Sequence, residues 1–302
     1  MNINFPDDFP TKDRMFDILH KIIEKSWKND INATDISEWL NNFTGKVYDV
    51  DTEQRLALWL LCNYTFYSSD DINHLCRVLF KKFIHDLIIR ENIQIDQIEE
   101  ALKQTCFSSI GSASESGGLL LYHFRQEANL SLDRFFYPTS IESTDNTIIV
   151  FIDDATLSGG TALRNFYETV EPLPHKHIYY LTIIASEEAI RKLEEKGIVV
   201  ICCSQVDERN KCFSENSMAF YRYPKLLEPT KQIAEEYGKN IIEAPVKPLG
   251  YKNGEFCFGF YYNTPNNTLP IFWSKKDWMP IFPRKEKLQN ARQLNFIPSK
   301  YV

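Results

Sequence analysis

The sequence predicts an α/β protein in which a parallel sheet is flanked by helices and preceded by a helical region. Strand-like apolar runs alternate with helix-like segments from residue 147 to residue 203, which is typical of parallel sheets with crossover helices. Proline is absent from Thr11 to Tyr137, which favours helices in the first third of the chain. Eleven of the 14 prolines lie from Pro172 onward, so the C-terminal part is predicted to be rich in turns.

The composition is that of an ordinary globular chain and argues against several classes of protein. The 302 residues are 43% hydrophobic and 25% charged, and 34 basic and 41 acidic side chains leave a net charge of −7, which argues against a non-specific nucleic-acid binder. No run of about 18 apolar residues occurs and no secretory pattern opens the chain, so we expect a cytoplasmic protein without membrane contact. The seven cysteines include no C-x-x-C pair, so neither a disulfide framework nor a protein-bound metal is predicted.

Residues 1–103 are predicted to form a helical N-terminal region. Apolar residues from Met15 to Ile23 recur at helical spacing, and the run Asp35 to Glu38 resembles a capping box. Residues 56–66 are apolar nearly all round, which indicates a central helix. A further apolar stripe from Ile72 to Ile88 predicts another helix.

Residues 104–244 are predicted to form the α/β core, and residues 245–302 a C-terminal cap segment packed on it. Continuous β-branched and aromatic runs indicate buried strands, and amphipathic spacing indicates helices between them. The predicted strands are 105–109, 147–152, 178–185 and 198–203, and the predicted helices are 119–126, 161–170 and 187–196. Open α/β sheets bind ligands at the carboxyl ends of their strands, so the loops after these strands are the expected binding sites.

One of these loops joins an acidic pair to two glycines. The run Ile148 to Ile152 is followed by Asp153 and Asp154, and three residues later by Ser-Gly-Gly-Thr at 158–161, which opens a predicted helix. A helix N-terminus offers unpaired N–H groups and partial positive charge, which suit a phosphate. Two carboxylates can accept hydrogen bonds from a sugar diol, and the glycines allow close backbone approach. The alternative interpretation is an acidic turn that caps an ordinary strand–helix connection.

This segment resembles the phosphoribosyl-diphosphate (PRPP) motif of type I phosphoribosyltransferases at every defining position: an apolar strand, two acidic residues, three variable residues and a Thr/Ser-Gly-Gly/Thr-Thr run. The resemblance implies a type I phosphoribosyltransferase-like core. It implies that Asp153 and Asp154 are the catalytic residues and hold the ribose 2′- and 3′-hydroxyls. The residues implied to bind the 5′-phosphate are Thr156, Leu157, Ser158, Gly159, Gly160 and Thr161.

A second loop rich in serine and glycine lies upstream, at residues 108–118. In phosphoribosyltransferases the loop after the first core strand binds diphosphate through backbone amides, and small residues suit such an anion site. The candidate diphosphate-binding residues are Gly111, Ser112, Ser114, Ser116 and Gly117. Glu115 would have to face away from the diphosphate or bind a metal. The alternative is a flexible surface loop.

The C-terminal cap segment extends the resemblance. It carries Asn-Thr-Pro-Asn-Asn-Thr at 263–268 and Trp-Met-Pro-Ile-Phe-Pro-Arg at 278–284. With the helical N-terminal third that bears Trp39, these residues are similar to the PRTase-CE group, phosphoribosyltransferase-like proteins of bacterial conflict systems, over about residues 35–284. The candidate acceptor-pocket residues are Asn263, Asn266, Asn267 and Trp273. The alternative is a cap stiffened by prolines and packed by aromatic rings.

The resemblance implies an effector of a bacterial anti-phage defence system. It would bind PRPP or a related nucleotide, with Mg²⁺ held through that ligand, and act at the ribose C1′ of a nucleotide or nucleic-acid target. Some members of the group accompany retrons, so the implied partners are a retron reverse transcriptase–nucleic-acid complex, other defence-system proteins or a second copy of the chain. The alternative is a catalytically inactive nucleotide-binding sensor or toxin-complex subunit. It stays open because no long catalytic loop is evident and the catalytic cation is not placed, with Arg125, Arg134 and Arg284 as candidates.

Overall fold

Four parallel strands form the main sheet of the protein, in the order β2-β3-β4-β5. The computed structural model describes residues 3–28, 30–110, 116–160, 162–164 and 176–284. In these ranges the strands are β1 Thr65–Tyr67, β2 Thr105–Ser109, β3 Ile148–Thr156, β4 His177–Ser186, β5 Val199–Val206 and β6 Phe258–Phe260. The helices are α1 Lys12–Lys25, α2 Ala33–Leu40, α3 Val50–Cys62, α4 Ser69–Glu91, α5 Ile98–Lys103, α6 Ser116–Glu127, α7 Glu187–Glu194, α8 Leu227–Ile241 and α9 Pro270–Trp273. The predicted α/β class with a parallel sheet flanked by helices is confirmed.

The register of the main sheet brings the ends of its strands to one edge. Ser109 of β2 lies opposite Ile152 of β3, and Ser186 of β4 lies opposite Val206 of β5. All four predicted core strands are present. Two of them extend further than predicted, because β3 runs to Thr156 rather than ending at Ile152 and β5 runs to Val206 rather than ending at Cys203. The acidic pair, Asp153 and Asp154, is therefore part of the strand and not of the loop after it.

Both faces of the main sheet are covered, which explains why its strands are apolar at successive positions. Val150 and Ile152 pack with residues of α4 and α6 on one face. Ile149 and Phe151 pack with Leu193 of α7 on the other. The predicted helix 161–170 is described only in part, since Gly160 and residues 162–164 are helical and residues 161 and 165–170 lie outside the described ranges.

The N-terminal region is helical as predicted, with two local corrections. The α2 capping box is formed by Asn32 and Asp35, because the Asn32 side chain accepts from the first turn and Asp35 accepts from the backbone of Asn32. The predicted capping box, which begins at Asp35, was therefore wrong by three residues. The predicted helix over residues 56–66 was also wrong at its end, since α3 stops at Cys62 and β1 follows, paired in parallel with β6.

The first three helices share one hydrophobic core with residues 212–282. The Trp39 indole N–H donates to the carbonyl oxygen of Ile271 at 2.7 Å, and its ring stacks on Phe272 at 5.5 Å between centroids. Glu53 of α3 is fully buried and accepts a hydrogen bond from the Tyr237 hydroxyl of α8 at 2.5 Å. These long-range contacts, together with the shared core, hold the start of the chain against its C-terminal segment. α4, by contrast, packs on the main sheet.

In the described part of the chain, none of the helices has both the length and the apolar character needed to span a membrane.

Candidate functional site

The acidic pair occupies neighbouring positions on β3, so its two side chains lie on opposite faces of the sheet. Asp153 Oδ2 accepts from the Tyr180 hydroxyl at 2.8 Å, and its Oδ1 accepts from the Asp154 N–H at 2.9 Å. Asp154 is only 7% exposed, and its Oδ1 accepts from the Ala155 N–H at 2.8 Å. Both carboxylates are thus oriented by hydrogen bonds within the strand or to the adjacent strand.

Tyr180 of β4 holds Asp153 in place and was not identified from the sequence. Burial, followed by the charge of Asp153, raises the pKa of the Tyr180 hydroxyl well above its ordinary value. The hydroxyl therefore stays protonated and donates to the carboxylate. A tyrosine inside an apolar strand carries no sequence signal for this role until the register of β3 and β4 is known.

The segment Leu157–Gly160, here called the glycine turn, follows β3 and is tied to the start of α7. The Ser186 hydroxyl donates to the Leu157 carbonyl at 2.6 Å. Ser158 Oγ accepts from the Gly160 N–H at a long 3.4 Å, and Gly159 has a φ of +68°, a conformation that favours glycine. Thr156 is buried at the end of β3, and Thr161 lies outside the described residues.

Lys192 of α7 lies beside the glycine turn and is a cation that sequence analysis placed on an ordinary charged helix. Its Nζ donates to the Ser158 carbonyl at 3.3 Å and also pairs with Glu188. The hydrogen bond from Lys192 is the main cause of the lowered pKa of Glu188, with smaller contributions from Lys252 and Lys211. Glu188 and Lys192 have the i,i+4 spacing of an ordinary ion pair on a helix surface. The sequence therefore gives no sign that Lys192 also contacts the glycine turn.

The described residues on either side of the loop after β2, Ile110 and Gly117, lie at the same edge of the sheet. Its candidate residues Gly111, Ser112 and Ser114 lie outside the described residues, as does the side chain of Ser116, where α6 begins. Gly117 is buried in the first turn of α6. A Cβ there would lie 3.1 Å from the Ile110 carbonyl oxygen and 3.4 Å from that of Ile152. The helix start is therefore packed against the ends of β2 and β3, next to the acidic pair.

A cavity of about 200 Å³ opens at this edge, between the glycine turn and the C-terminal cap segment. Its lining residues include Ser158, Glu187 at the start of α7, Asp207 directly after β5, and the cap residues Lys252 and Asn267. Both signs of charge thus face the cavity. The structure brings Asn267, a candidate acceptor-pocket residue, to the same cavity as Ser158.

The other candidate acceptor residues make contacts within the cap segment. The Trp273 indole N–H donates to the Thr268 carbonyl at 2.8 Å, and the Arg284 guanidinium lies 6.0 Å from its ring. Asn266 accepts from the Tyr251 N–H through its carbonyl, and Asn263 exchanges backbone hydrogen bonds with Phe260. Asn267 itself donates from Nδ2 to the Tyr251 carbonyl at 3.0 Å.

A chain of hydrogen bonds links the cap segment to α4 and α6. Sequence analysis did not identify it. His123 of α6 contacts Asn73 Oδ1 through Nδ1 at 2.8 Å and the Tyr261 hydroxyl through Nε2 at 2.7 Å. Burial lowers the pKa of His123 below its usual 6.5, which favours the neutral ring. Neutral His123 can then donate to Asn73 and accept from Tyr261. The next residue, Tyr262, is buried within electrostatic range of Asp154.

Two of the three candidate arginines lie away from the acidic pair. Arg125 is in the last turn of α6, at the opposite end of that helix from Gly117. Arg134 donates to Glu99 at 2.9 Å, next to α5, which leads into the amino end of β2. Arg284 lies in the cap segment, where its guanidinium donates to the Thr264 carbonyl at 2.5 Å.

Acidic, histidine and cysteine side chains do not gather in groups of three or more suited to a metal ion within the described ranges. The acidic pair supplies carboxylate oxygens, the ligand type that Mg²⁺ prefers. One or two carboxylates suffice where phosphate oxygens complete the coordination. The residues present therefore suit a Mg²⁺ ion that arrives with a phosphorylated ligand.

Comparison with known proteins places the chain in a family. The comparison with curated proteins found no match. Among solved structures, the crystal structure of orotate phosphoribosyltransferase from Aeropyrum pernix is similar at 12% identity, over 37% of this chain and 72% of that chain, with a TM-score of 0.26. The PRTase-CE family model matches residues 36–284, which is most of the sequence. The chain therefore belongs to the PRTase-CE family and is a phosphoribosyltransferase-like protein.

Proposed function

We propose that the protein binds PRPP or a related nucleotide, together with Mg²⁺, at the carboxyl edge of its main sheet and acts at the ribose C1′. The observation that carries this proposal is the order of groups along the chain: Asp153 and Asp154 lie near the carboxyl end of β3, and the glycine turn begins directly after the strand ends at Thr156. Family membership supports the same interpretation. A cavity beside Ser158 offers room for part of a ligand.

Each part of this edge has a distinct role in the proposal. The acidic pair accepts hydrogen bonds from the ribose hydroxyls. The backbone N–H groups of the glycine turn donate to the 5′-phosphate, and Lys192 adds positive charge next to that turn. The long bond from Gly160 to Ser158 Oγ is weak enough for a phosphate oxygen to replace it.

In the proposed reaction, the bond from C1′ to the leaving group breaks and its electron pair departs on the leaving group. A nucleophile of the acceptor forms the new bond to C1′. Positioning and charge stabilisation contribute more to such a reaction than a strong base. Mg²⁺, when bound, would neutralise negative charge on a diphosphate leaving group. In this proposal the biological setting is anti-phage defence, with a nucleotide or nucleic acid as the target.

A second candidate function is ligand binding without turnover, as in a sensor or a subunit of a toxin complex. The positions of Arg125 and Arg134, away from the acidic pair, favour it because a leaving group at C1′ would lack their charge. Release of diphosphate from PRPP by the purified protein would distinguish the two functions. Turnover supports the enzyme, and binding without turnover supports the sensor.

The direct test is calorimetric titration of PRPP, ribose 5-phosphate and AMP, each with and without Mg²⁺. We expect PRPP binding that strengthens with Mg²⁺. Asp153→Asn combined with Asp154→Asn removes two charged acceptors, so binding should weaken by about 100-fold or more. Asparagine keeps an oxygen for the Tyr180 hydroxyl, so the double variant should stay folded.

The matched control for this titration is Asp96→Asn, because Asp96 is exposed and precedes α5 at the amino end of the sheet. Its affinity for PRPP should equal that of the wild type. Unchanged PRPP affinity in the folded double variant would contradict the proposal, and so would a wild type that binds none of the three ligands.

A further inference from the structure

Tyr262 carries a buried hydroxyl with no hydrogen-bond partner. The residue is 5% exposed, and its ring stacks on Phe260 with centroids 5.5 Å apart and an interplanar angle of 6°. Tyr261 packs against its edge at 5.0 Å. Buried polar groups in folded proteins are almost always satisfied, so an orphaned hydroxyl needs an explanation. A bound ligand that supplies the missing partner is one such explanation.

The surroundings of Tyr262 point to the acidic pair. Burial, followed by the charges of Asp154 and Asp153, raises the pKa of the Tyr262 hydroxyl well above its ordinary value. The hydroxyl therefore remains protonated and is available as a donor. It makes no hydrogen bond to Asp154, although the two lie within electrostatic range of each other.

Two other tyrosines in the described chain have unpartnered buried hydroxyls, and they differ from Tyr262 in their surroundings. The Tyr64 hydroxyl lies beside the Thr264 side chain, and the Tyr179 hydroxyl lies beside Asp86 of α4. Each of these two hydroxyls thus has a hydrogen-bonding side chain of the protein beside it. For Tyr262 the contributing groups act through their charge alone, and Asp154 is the foremost of them.

The backbone around Tyr262 is held by hydrogen bonds, which restrict the positions that its hydroxyl can take. β6 pairs with β1 immediately before it, and the Tyr261 N–H donates to the Tyr67 carbonyl at 2.9 Å. The Tyr261 hydroxyl is in turn held by His123 at 2.7 Å. A donor that is pre-positioned in this way loses little freedom when a ligand binds.

We propose that Tyr262 is a ligand-positioning residue whose hydroxyl donates a hydrogen bond to the sugar of the ligand that Asp154 binds. The inference rests on the proposed function, because it takes the acidic pair as the sugar site. It adds a contact from the cap segment, so that the main sheet and the cap hold the sugar between them. The class of ligand is a ribose phosphate, with or without a base.

The test is calorimetric titration of ribose 5-phosphate and AMP, with Mg²⁺, into the wild type, Tyr262→Phe and Tyr179→Phe. For Tyr262→Phe we expect dissociation constants about tenfold higher for both ligands, the usual value of one hydrogen bond. Its melting temperature without ligand should be unchanged or higher, because an unsatisfied polar group has been removed. Tyr179→Phe makes the same chemical change at the opposite end of the sheet and should bind like the wild type.

Each contrary result has a distinct meaning. Unchanged affinity in Tyr262→Phe overturns the inference, as expected if a buried water satisfies the hydroxyl. A lower melting temperature without ligand also overturns it, because the hydroxyl would then have a partner in the free protein. If Tyr262→Phe weakens the binding of AMP but not that of ribose 5-phosphate, the assignment of the hydroxyl to the sugar is overturned. If the wild type binds neither ligand, the proposed function fails, and the inference fails with it.

Discussion

His123 shows how a single side chain connects three separate parts of the chain. It lies between Asn73 of α4 and Tyr261 of the cap segment, and burial is the main cause of its lowered pKa. Only the neutral ring can accept from the Tyr261 hydroxyl while it donates to Asn73. The contact between α6 and the cap segment is therefore sensitive to pH.

We predict that the free energy of unfolding falls as the pH drops below 6.5 toward the lowered pKa of His123. The unfolded chain binds a proton near the usual value of 6.5, whereas the folded protein resists it, so protonation favours unfolding. Urea unfolding between pH 5 and 8 measures this dependence, and His123→Gln should lack that part of it. An identical pH profile in the variant would contradict the assignment.

At the scale of elements, the junction between β3 and the following helix depends on one backbone conformation. Gly159 has a φ of +68°, and its nearest neighbour would be the Ala189 Cα at 3.5 Å from an added Cβ. A methyl group therefore fits in space, and the cost of alanine comes from the backbone angle alone. Gly197, after α7, has a φ of +77° with no atom within 4 Å.

These two glycines make a matched pair for testing the glycine turn. Gly159→Ala and Gly197→Ala should each reduce the free energy of unfolding by about 1 kcal/mol, since both place a side chain at positive φ. Only Gly159→Ala should also weaken PRPP binding, by roughly tenfold, because it shifts the N–H groups proposed to hold the phosphate. Equal PRPP affinity in the two variants, measured by calorimetry, would show that the turn does not contact the ligand.

At the scale of the whole molecule, the candidate site lies where two cores meet. The main sheet supplies the acidic pair and the glycine turn. The cap segment, which shares a core with α1–α3, places Asn267 at the cavity beside Ser158 and Tyr262 within electrostatic range of Asp154. The N-terminal helices thus support the site through the cap segment without contributing a predicted site residue. The divisions near residues 103 and 244 remain predictions.

Much of the fold could be predicted because it depends on local patterns. The four core strands and the α6 and α7 helices follow from apolar runs and their spacing. The extension of β3 through Asp153 and Asp154 could not be predicted, since acidic residues rarely sit within a buried strand. β1 and β6 are three residues each, too short for a periodic signal.

The parts of the site that the sequence did not reveal depend on long-range contacts. His123 meets residues 50 positions before it and 138 positions after it. The role of Tyr180 depends on the register of β3 and β4, and that of Lys192 depends on the packing of α7. The proposed role of Tyr262 depends on the path of the cap segment. None of these can be read from spacing along the chain, and a single sequence holds no other signal for them.

The most direct test of the account is amide hydrogen exchange of the whole chain, followed by mass spectrometry, with and without PRPP and Mg²⁺. If the ligand binds at the carboxyl edge of the main sheet, exchange should slow in peptides that contain Asp153–Gly160 and in those that contain Gly117 and Tyr262. Peptides from α1–α3 should exchange at the same rate with and without ligand. Protection confined to the N-terminal helices, or none at all under saturating PRPP, would contradict the central claim.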